Sequence, residues 1–320
     1  MTILDNTLHL RLTVLIVLIS ARAIAGVITQ DTPAAPDPLA SAKSYLARGL
    51  LTEAETETRK AIATNKESAS AHNLLGYILF RQTKARESLA EYTEGAKYAK
   101  PDASDLRIVG ADYVILADYG DADIWFTKAT EFDPTNVLGW YYLGRTKYNE
   151  NRFEEAVTAF KRCLELAPKH VRAEDNLGLS LQGLGRNEEA LAAFRNAIAW
   201  QSDAPQKDPW PYIDLGSFLL ETNHPDQAIP ILLQALELVP DSPKAHAQLG
   251  KAYLAMKDFP HAQTELEQAV KLEPESARAH YVLGQLYQKQ RQAEKAKQEF
   301  ARYAQLNAQH AKETPDSRPN

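Results

Sequence analysis

Apolar residues along this chain fall three and four apart in short runs, and each run ends at a charged or polar break. That spacing predicts helices with one buried face. The stretch YYLGRTKYNENRFEEAVTAFKRCLELAP, residues 141–168, shows the arrangement once. An apolar run holding a glycine is broken by NENR, followed by a second run around EEAVTAF and closed by Pro168. Two helices joined by a tight turn, and so antiparallel, are the element it predicts.

The unit repeats. From Gly144, steps of thirty-four reach Gly110, Gly76 and Ala42 backward and Gly178 forward. The four residues PQKD, 205–208, reset the phase, and Gly216, Gly250 and Gly284 follow. Seven of the fourteen glycines hold this one position, which removes most of them from any phosphate-loop reading. Twelve residues later stands a small residue: Ala54, Ser88, Ala122, Ala156, Ala190, Ala228, Ala262 and Ala296. Seven further on the column is again small, with Gly95 and Cys163 among alanines and Tyr303 the exception. Between the two small columns falls an aromatic or a leucine, for example Tyr92, Phe126, Phe160, Phe194, Leu232 and Phe300. Small residues let helix axes approach. The aromatic, four residues past the first small residue, lies on the same face and fills the adjoining space. Pro134, Pro168, Pro240 and Pro274 close their units. One pair cannot bury its own face, so neighbours must stack.

Period, column order and residue types resemble the tetratricopeptide repeat, with Trp140, Leu143, Gly144, Ala156, Phe160 and Pro168 matching its signature. The resemblance covers eight units, five over 35–204 and three over 209–310. It implies an all-α, right-handed superhelical solenoid of antiparallel helix pairs. It also implies that positions two, five, nine and twelve of each first helix face a concave groove. Carried over, the groove holds Asn73, Tyr77 and Phe80 in the second unit and Arg107 in the third. Tyr141, Arg145 and Tyr148 come from the fourth, Arg172 and Asp175 from the fifth. Trp210, Lys244 and Tyr281 come from the last three. Some members of the family clamp a chaperone's C-terminal carboxylate with lysine and asparagine from successive units. Here Asn73, Arg145, Asn176 and Lys244 are scattered in register, which disfavours that use.

Departures from the pattern carry expectations of their own. Ser41 and Thr58 occupy apolar positions, as suits a terminal unit. Ser202 replaces a closing proline ahead of PQKD, so the fifth unit's second helix is expected to run on or the spacing to open there, a candidate hinge. Pro230 stands inside a helix and is expected to remove one backbone bond and kink it.

Composition adds context. The net charge of −6 has no basic block, which argues against nucleic acid as a partner. The single cysteine, Cys163, excludes an internal disulfide. Residues 1–25 have the layout of a secretory signal peptide: Arg11, the short apolar run Leu12–Ser20, then small residues with an Ala-x-Ala form. Residues 26–38, proline-rich, read as a linker, and 311–320 as a loose tail. The expected location is therefore exported, periplasmic or secreted. Membrane contact is expected only if the N-terminal segment stays uncleaved as an anchor.

No phosphate loop, nucleophile elbow or His-Glu-x-x-His motif is present. Glu154/Glu155 and Glu188/Glu189 open second helices, where the dipole favours them without acid–base roles. His72, His246 and His280 share the fourth repeat position and read as packing residues rather than metal ligands. The expectation is a non-enzymatic scaffold, without cofactor or metal, that holds a protein or peptide in its groove. The alternative is an accessory or regulatory subunit of a secretion, envelope-assembly or polysaccharide-synthesis system.

Overall fold

A computed structural model describes residues 39–202 and 204–313, the last four by backbone alone. The expected signal peptide and linker lie outside the described residues. Sixteen helices occur among the described residues, in eight consecutive pairs. The first four pairs are α1 (Ala40–Ala47) with α2 (Leu51–Thr64), α3 (Ala69–Arg81) with α4 (Ala85–Gly95), α5 (Ala103–Ile115) with α6 (Tyr119–Phe132), and α7 (Val137–Asn149) with α8 (Phe153–Leu166). The last four are α9 (Val171–Gly183) with α10 (Asn187–Trp200), α11 (Trp210–Glu221) with α12 (Pro225–Leu238), α13 (Pro243–Ala255) with α14 (Phe259–Leu272), and α15 (Ala277–Lys289) with α16 (Ala293–Glu313). The eight expected units each supply one pair. Two compact units divide between Arg152 and Phe153, so α1 to α7 belong to the first and α8 to α16 to the second.

Within each unit the pairs are built by the columns read above. An added Cβ at Gly76 would meet the Tyr92 ring at 2.8 Å, and one at Gly110 the Phe126 ring at 3.0 Å. In the second unit the same construction at Gly178, Gly216 and Gly284 meets Phe194, Leu232 and Phe300 at 2.8, 2.5 and 2.8 Å. The glycine is the seat of the filler residue on the facing helix. Phe126, Phe160 and Phe194 are sealed from solvent.

Two further columns emerge. The residue ahead of a first helix is an N-cap: Ser68, Asp102, Asn136, His170 and Ser242 each accept from a backbone N–H of the first turn. The turn between the helices of a pair always takes one left-handed residue. Gly49 and Gly185 fill it twice, and Thr83, Ala117, Asn151, Asn223, Lys257 and Arg291 fill it at φ between 58° and 63°. A left-handed residue bearing a Cβ costs about 1–2 kcal/mol, and Thr83 is β-branched. Thr83→Gly is expected to raise stability by about 0.5–1 kcal/mol, less than the full relief because glycine gains freedom in the unfolded chain. Urea denaturation of the full chain measures this, and a loss of stability would contradict the strain account.

Each departure from the repeat pattern has its own outcome. Thr58 is fully buried, and its hydroxyl donates to the Ala54 carbonyl at 2.7 Å, so a polar residue fits the core by bonding within its own helix. Helix α10 does not run on; it ends at Trp200, and the spacing opens instead. The buried Gln201 closes that loop, accepting from Asp208 N–H at 2.6 Å and donating to the Asp208 carbonyl at 3.0 Å. Pro230 stands inside helix α12, as expected, and has no N–H to donate. The last helix reaches Glu313, past residue 311 where the tail was expected to start.

Candidate functional site

In the first unit, the residues assigned to the groove by resemblance are largely engaged with their neighbours. Asn73 donates to Asp105 Oδ2 at 2.8 Å, bridging α3 to the start of α5. Its other amide atom lies over Gly95, where a Cβ would meet Asn73 Oδ1, which is why glycine stands in an otherwise alanine column. Tyr77 stacks on Phe80 at 6.4 Å between centroids, and the Arg81 guanidinium lies 5.9 Å from the Tyr77 ring. Arg107 is half-buried. Tyr141 is buried, edge-on to Tyr142 at 5.3 Å, so it offers little open face; this corrects its place in the expected groove. Arg145 is exposed with its guanidinium 5.9 Å from the Tyr141 ring, and Tyr148 is half-buried.

The second unit presents more. Trp210, at the start of α11, is 48% exposed. The Lys244 ammonium, from α13, lies 4.5 Å from the Trp210 ring centre and donates to Asp214 Oδ1 at 3.0 Å. Arg172, from α9, pairs with Asp208 at 2.7 Å, and Asp208 also accepts from Trp210 N–H at 3.1 Å. Gln182 of α9 donates to Glu221 of α11 at 2.6 Å. Tyr281 is exposed but leans on Tyr303 and Phe300 of its own pair at 5.1 and 5.9 Å. Tyr303 thus breaks the small-residue column to meet Tyr281.

Four carboxylates are buried: Asp112, Glu174, Asp175 and Asp214. Burial pushes Asp175 up to about 8, with the neighbouring Asp214 and Asp208 adding to it and Lys244 opposing. Asp214 is also raised by burial, against the pull of Lys244. Glu174 is raised by burial and accepts from Asn196 at 2.9 Å. In the first unit Asp112 is pushed up to about 7 by burial. Ser88 Oγ lies 2.8 Å from the Gly76 carbonyl and 2.5 Å from Asp112 Oδ2. Ser88 has one hydrogen, so when it donates to Gly76 the Asp112 carboxyl supplies the proton between them. Asp112 is sealed and can reach no substrate. Asp208 and Asp214 escaped the sequence reading: Asp208 lay in the segment treated as a phase slip, and Asp214 sits one place after the groove position.

The histidines tie turns. The Nε2 atoms of His72, His246 and His280 face the carbonyls of Lys66, Pro240 and Pro274, each six residues back, at 3.0, 2.8 and 3.1 Å. Their Nδ1 atoms face Glu91, Glu265 and Glu299, each nineteen residues on, at 2.6–2.7 Å. Trp140 fills the same position in the fourth unit and donates Nε1–H to the Pro134 carbonyl at 2.9 Å. The shared requirement is a ring N–H aimed at the preceding turn. Among the described residues no group of His, Cys, Asp and Glu is placed to hold a metal ion. Cys163 is buried and its thiol pushed up to about 11, as an unreactive core residue.

Comparison with known proteins places these features. Family profiles described as tetratricopeptide repeat match residues 39–104, 137–170, 181–251 and 277–310, and one described as TPR repeat matches 250–290. The peroxisomal targeting signal receptor of Kluyveromyces lactis is 35% identical over 91 residues, 28% of this chain and 16% of the receptor. The human PEX5-related protein is 32% identical over 148 residues, 45% of this chain and 21% of that protein. The chain therefore matches about a fifth or less of the length of these relatives. The crystal structure of a tetratricopeptide repeat protein from Parabacteroides merdae superposes with a TM-score of 0.62 at 18% identity, over 77% of this chain and 95% of that one. That likeness concerns the fold.

Proposed function

The chain belongs to the tetratricopeptide-repeat family, and on that premise we propose that it is an exported, non-enzymatic scaffold that binds a peptide or protein segment along its first helices. The observation that carries this reading is the exposed Trp210, with Lys244 over its ring and the Arg172–Asp208 pair beside it. An aromatic left half in water, ringed by charge from three first helices, is the composition of an interface anchor rather than of a core. A relative bearing the name of a targeting signal receptor is consistent with recognition of a short segment. The apolar stretch Leu12–Ser20 supports export.

Crosslinking and capture from the envelope fraction test the reading. The comparison is between the wild type and two exposed-residue variants, Trp210→Ala and Arg145→Ala. Recovery of the wild type's partner is expected to fall about tenfold or more in Trp210→Ala, the loss of one anchor. Thermal unfolding should be unchanged, because the side chain is half in water. Undiminished recovery in both variants would sink the groove reading.

A further inference from the structure

The second unit holds a buried carboxyl that no cation pairs with. Three carboxyls, Asp175, Asp208 and Asp214, interact electrostatically, with Lys244 beside them. Each nearby cation has an acid of its own: Arg172 pairs with Asp208 at 2.7 Å and Lys244 with Asp214 at 3.0 Å. Asp175 has neither. It is 4% exposed, and its Oδ1 is buried with no hydrogen-bond partner. A buried acceptor left unsatisfied opposes folding; Asp112 also leaves Oδ1 unpaired but meets Ser88 through Oδ2, whereas no side chain bonds Asp175. Asp175 occupies the fifth position of α9, one of those the family resemblance assigns to the groove, and it couples electrostatically to Asp208 in the turn before α11. Gln201 fixes that turn through both backbone groups of Asp208. Metal ligation is not what the geometry offers, since no metal-holding group exists among the described residues.

We propose that Asp175, flanked by Asp208 and Asp214, is a subsite for one basic side chain, arginine or lysine, of the bound segment. The inference rests on the binding reading above and names the partner's chemistry. A guanidinium or ammonium against Asp175 supplies the missing charge and the missing donor together. Trp210, fixed to Asp208 by its own N–H and covered by Lys244, forms the wall of the subsite. Binding requires Asp175 to ionise. Its proton leaves around pH 8, so affinity rises with pH up to about 8 and levels above it.

The test uses the full chain labelled with 5-fluorotryptophan, the Trp210 resonance assigned by Trp210→Phe. The probes are Ac-Ala-Ser-Arg-Ser-Ala-NH2, its lysine counterpart, and the same peptide with neutral, isosteric citrulline. The arginine and lysine peptides are expected to shift the Trp210 resonance, with citrulline weaker by about tenfold or more, one charged pair's worth. Affinity should rise about tenfold or more from pH 6 to pH 8. Asp175→Asn, matched in size and checked by circular dichroism, should erase both the preference and the pH dependence. Asp175→Glu should keep the preference. Equal binding of arginine and citrulline peptides overturns the subsite and leaves the groove reading standing. No shift with the arginine peptide at ~10 mM also overturns it. The groove reading itself falls only with the capture experiment.

Discussion

Phe194→Ala is expected to cost about 3–5 kcal/mol, the range for deleting a buried aromatic. The ring is sealed from solvent and lies on Gly178 of its own pair, where a Cβ would meet it at 2.8 Å. It also meets Phe218 of the next pair at 5.6 Å between centroids. One side chain therefore holds two interfaces, within a repeat and between repeats. The seat supplies a sharper test than the loss alone. In the wild type Gly178→Ala places a methyl against the ring, and overpacking of that kind costs about 1–3 kcal/mol. In the Phe194→Ala background the methyl enters the void, and alanine's helix preference over glycine makes the same substitution stabilising by about 1 kcal/mol. The sign of the Gly178→Ala effect should thus reverse between backgrounds. A double-mutant cycle by chemical denaturation reads this directly. Equal effects in both backgrounds would mean that the glycine column is not a seat for the ring.

Asp112→Asn is expected to stabilise the protein at neutral pH and to flatten its stability profile. Asp112 titrates at about 7 in the fold, against 3.8 ordinarily. Below pH 3.8 both folded and unfolded chains hold the proton, and the side chain carries no penalty. Between 3.8 and about 7 the unfolded chain releases its proton while the folded chain keeps it, so stability falls as pH rises. Above 7 the cost is constant. At about 1.4 kcal/mol per tenfold difference in affinity for the proton, the plateau is on the order of 4 kcal/mol. Asparagine keeps the shape and can still donate to Ser88, yet it cannot ionise. Urea denaturation at pH 7.5 should place Asp112→Asn about 2–4 kcal/mol above the wild type, narrowing toward equality at pH 4. The residual slope belongs to the other carboxyls raised by burial, Asp175, Asp214, Glu174 and Asp105. An unchanged slope in the variant would show that Asp112 is not the group responsible.

The two sets of residues differ in how far the sequence reached them. Gly178 and Phe194 are legible because their roles recur. A contact that recurs from pair to pair leaves a column, and a column can be read without coordinates. The histidine position was legible as packing but not as a turn tie. Only coordinates show that Trp140 and His246 aim a ring nitrogen at the same carbonyl six residues back. The left-handed turn residue escaped because glycine, asparagine, threonine, alanine, lysine and arginine all fill it, so composition gives no column.

The groove fared differently again. Position within a repeat grouped Trp210 and Lys244, whose side chains stand partly in water, with Tyr141, which is buried, and Asn73, which is bonded across to the next pair. By itself the sequence determined the all-α class, the helix pairs, their phase and the residues seated at each crossing, because these depend on spacing along one chain. Tertiary structure alone decided which carboxyls are buried, which cation pairs with which acid, and that Asp175 is left without one. Those facts depend on distances between side chains some thirty to forty residues apart, and a repeat pattern constrains the helices that carry such residues but not the charges that neighbouring helices bring against them.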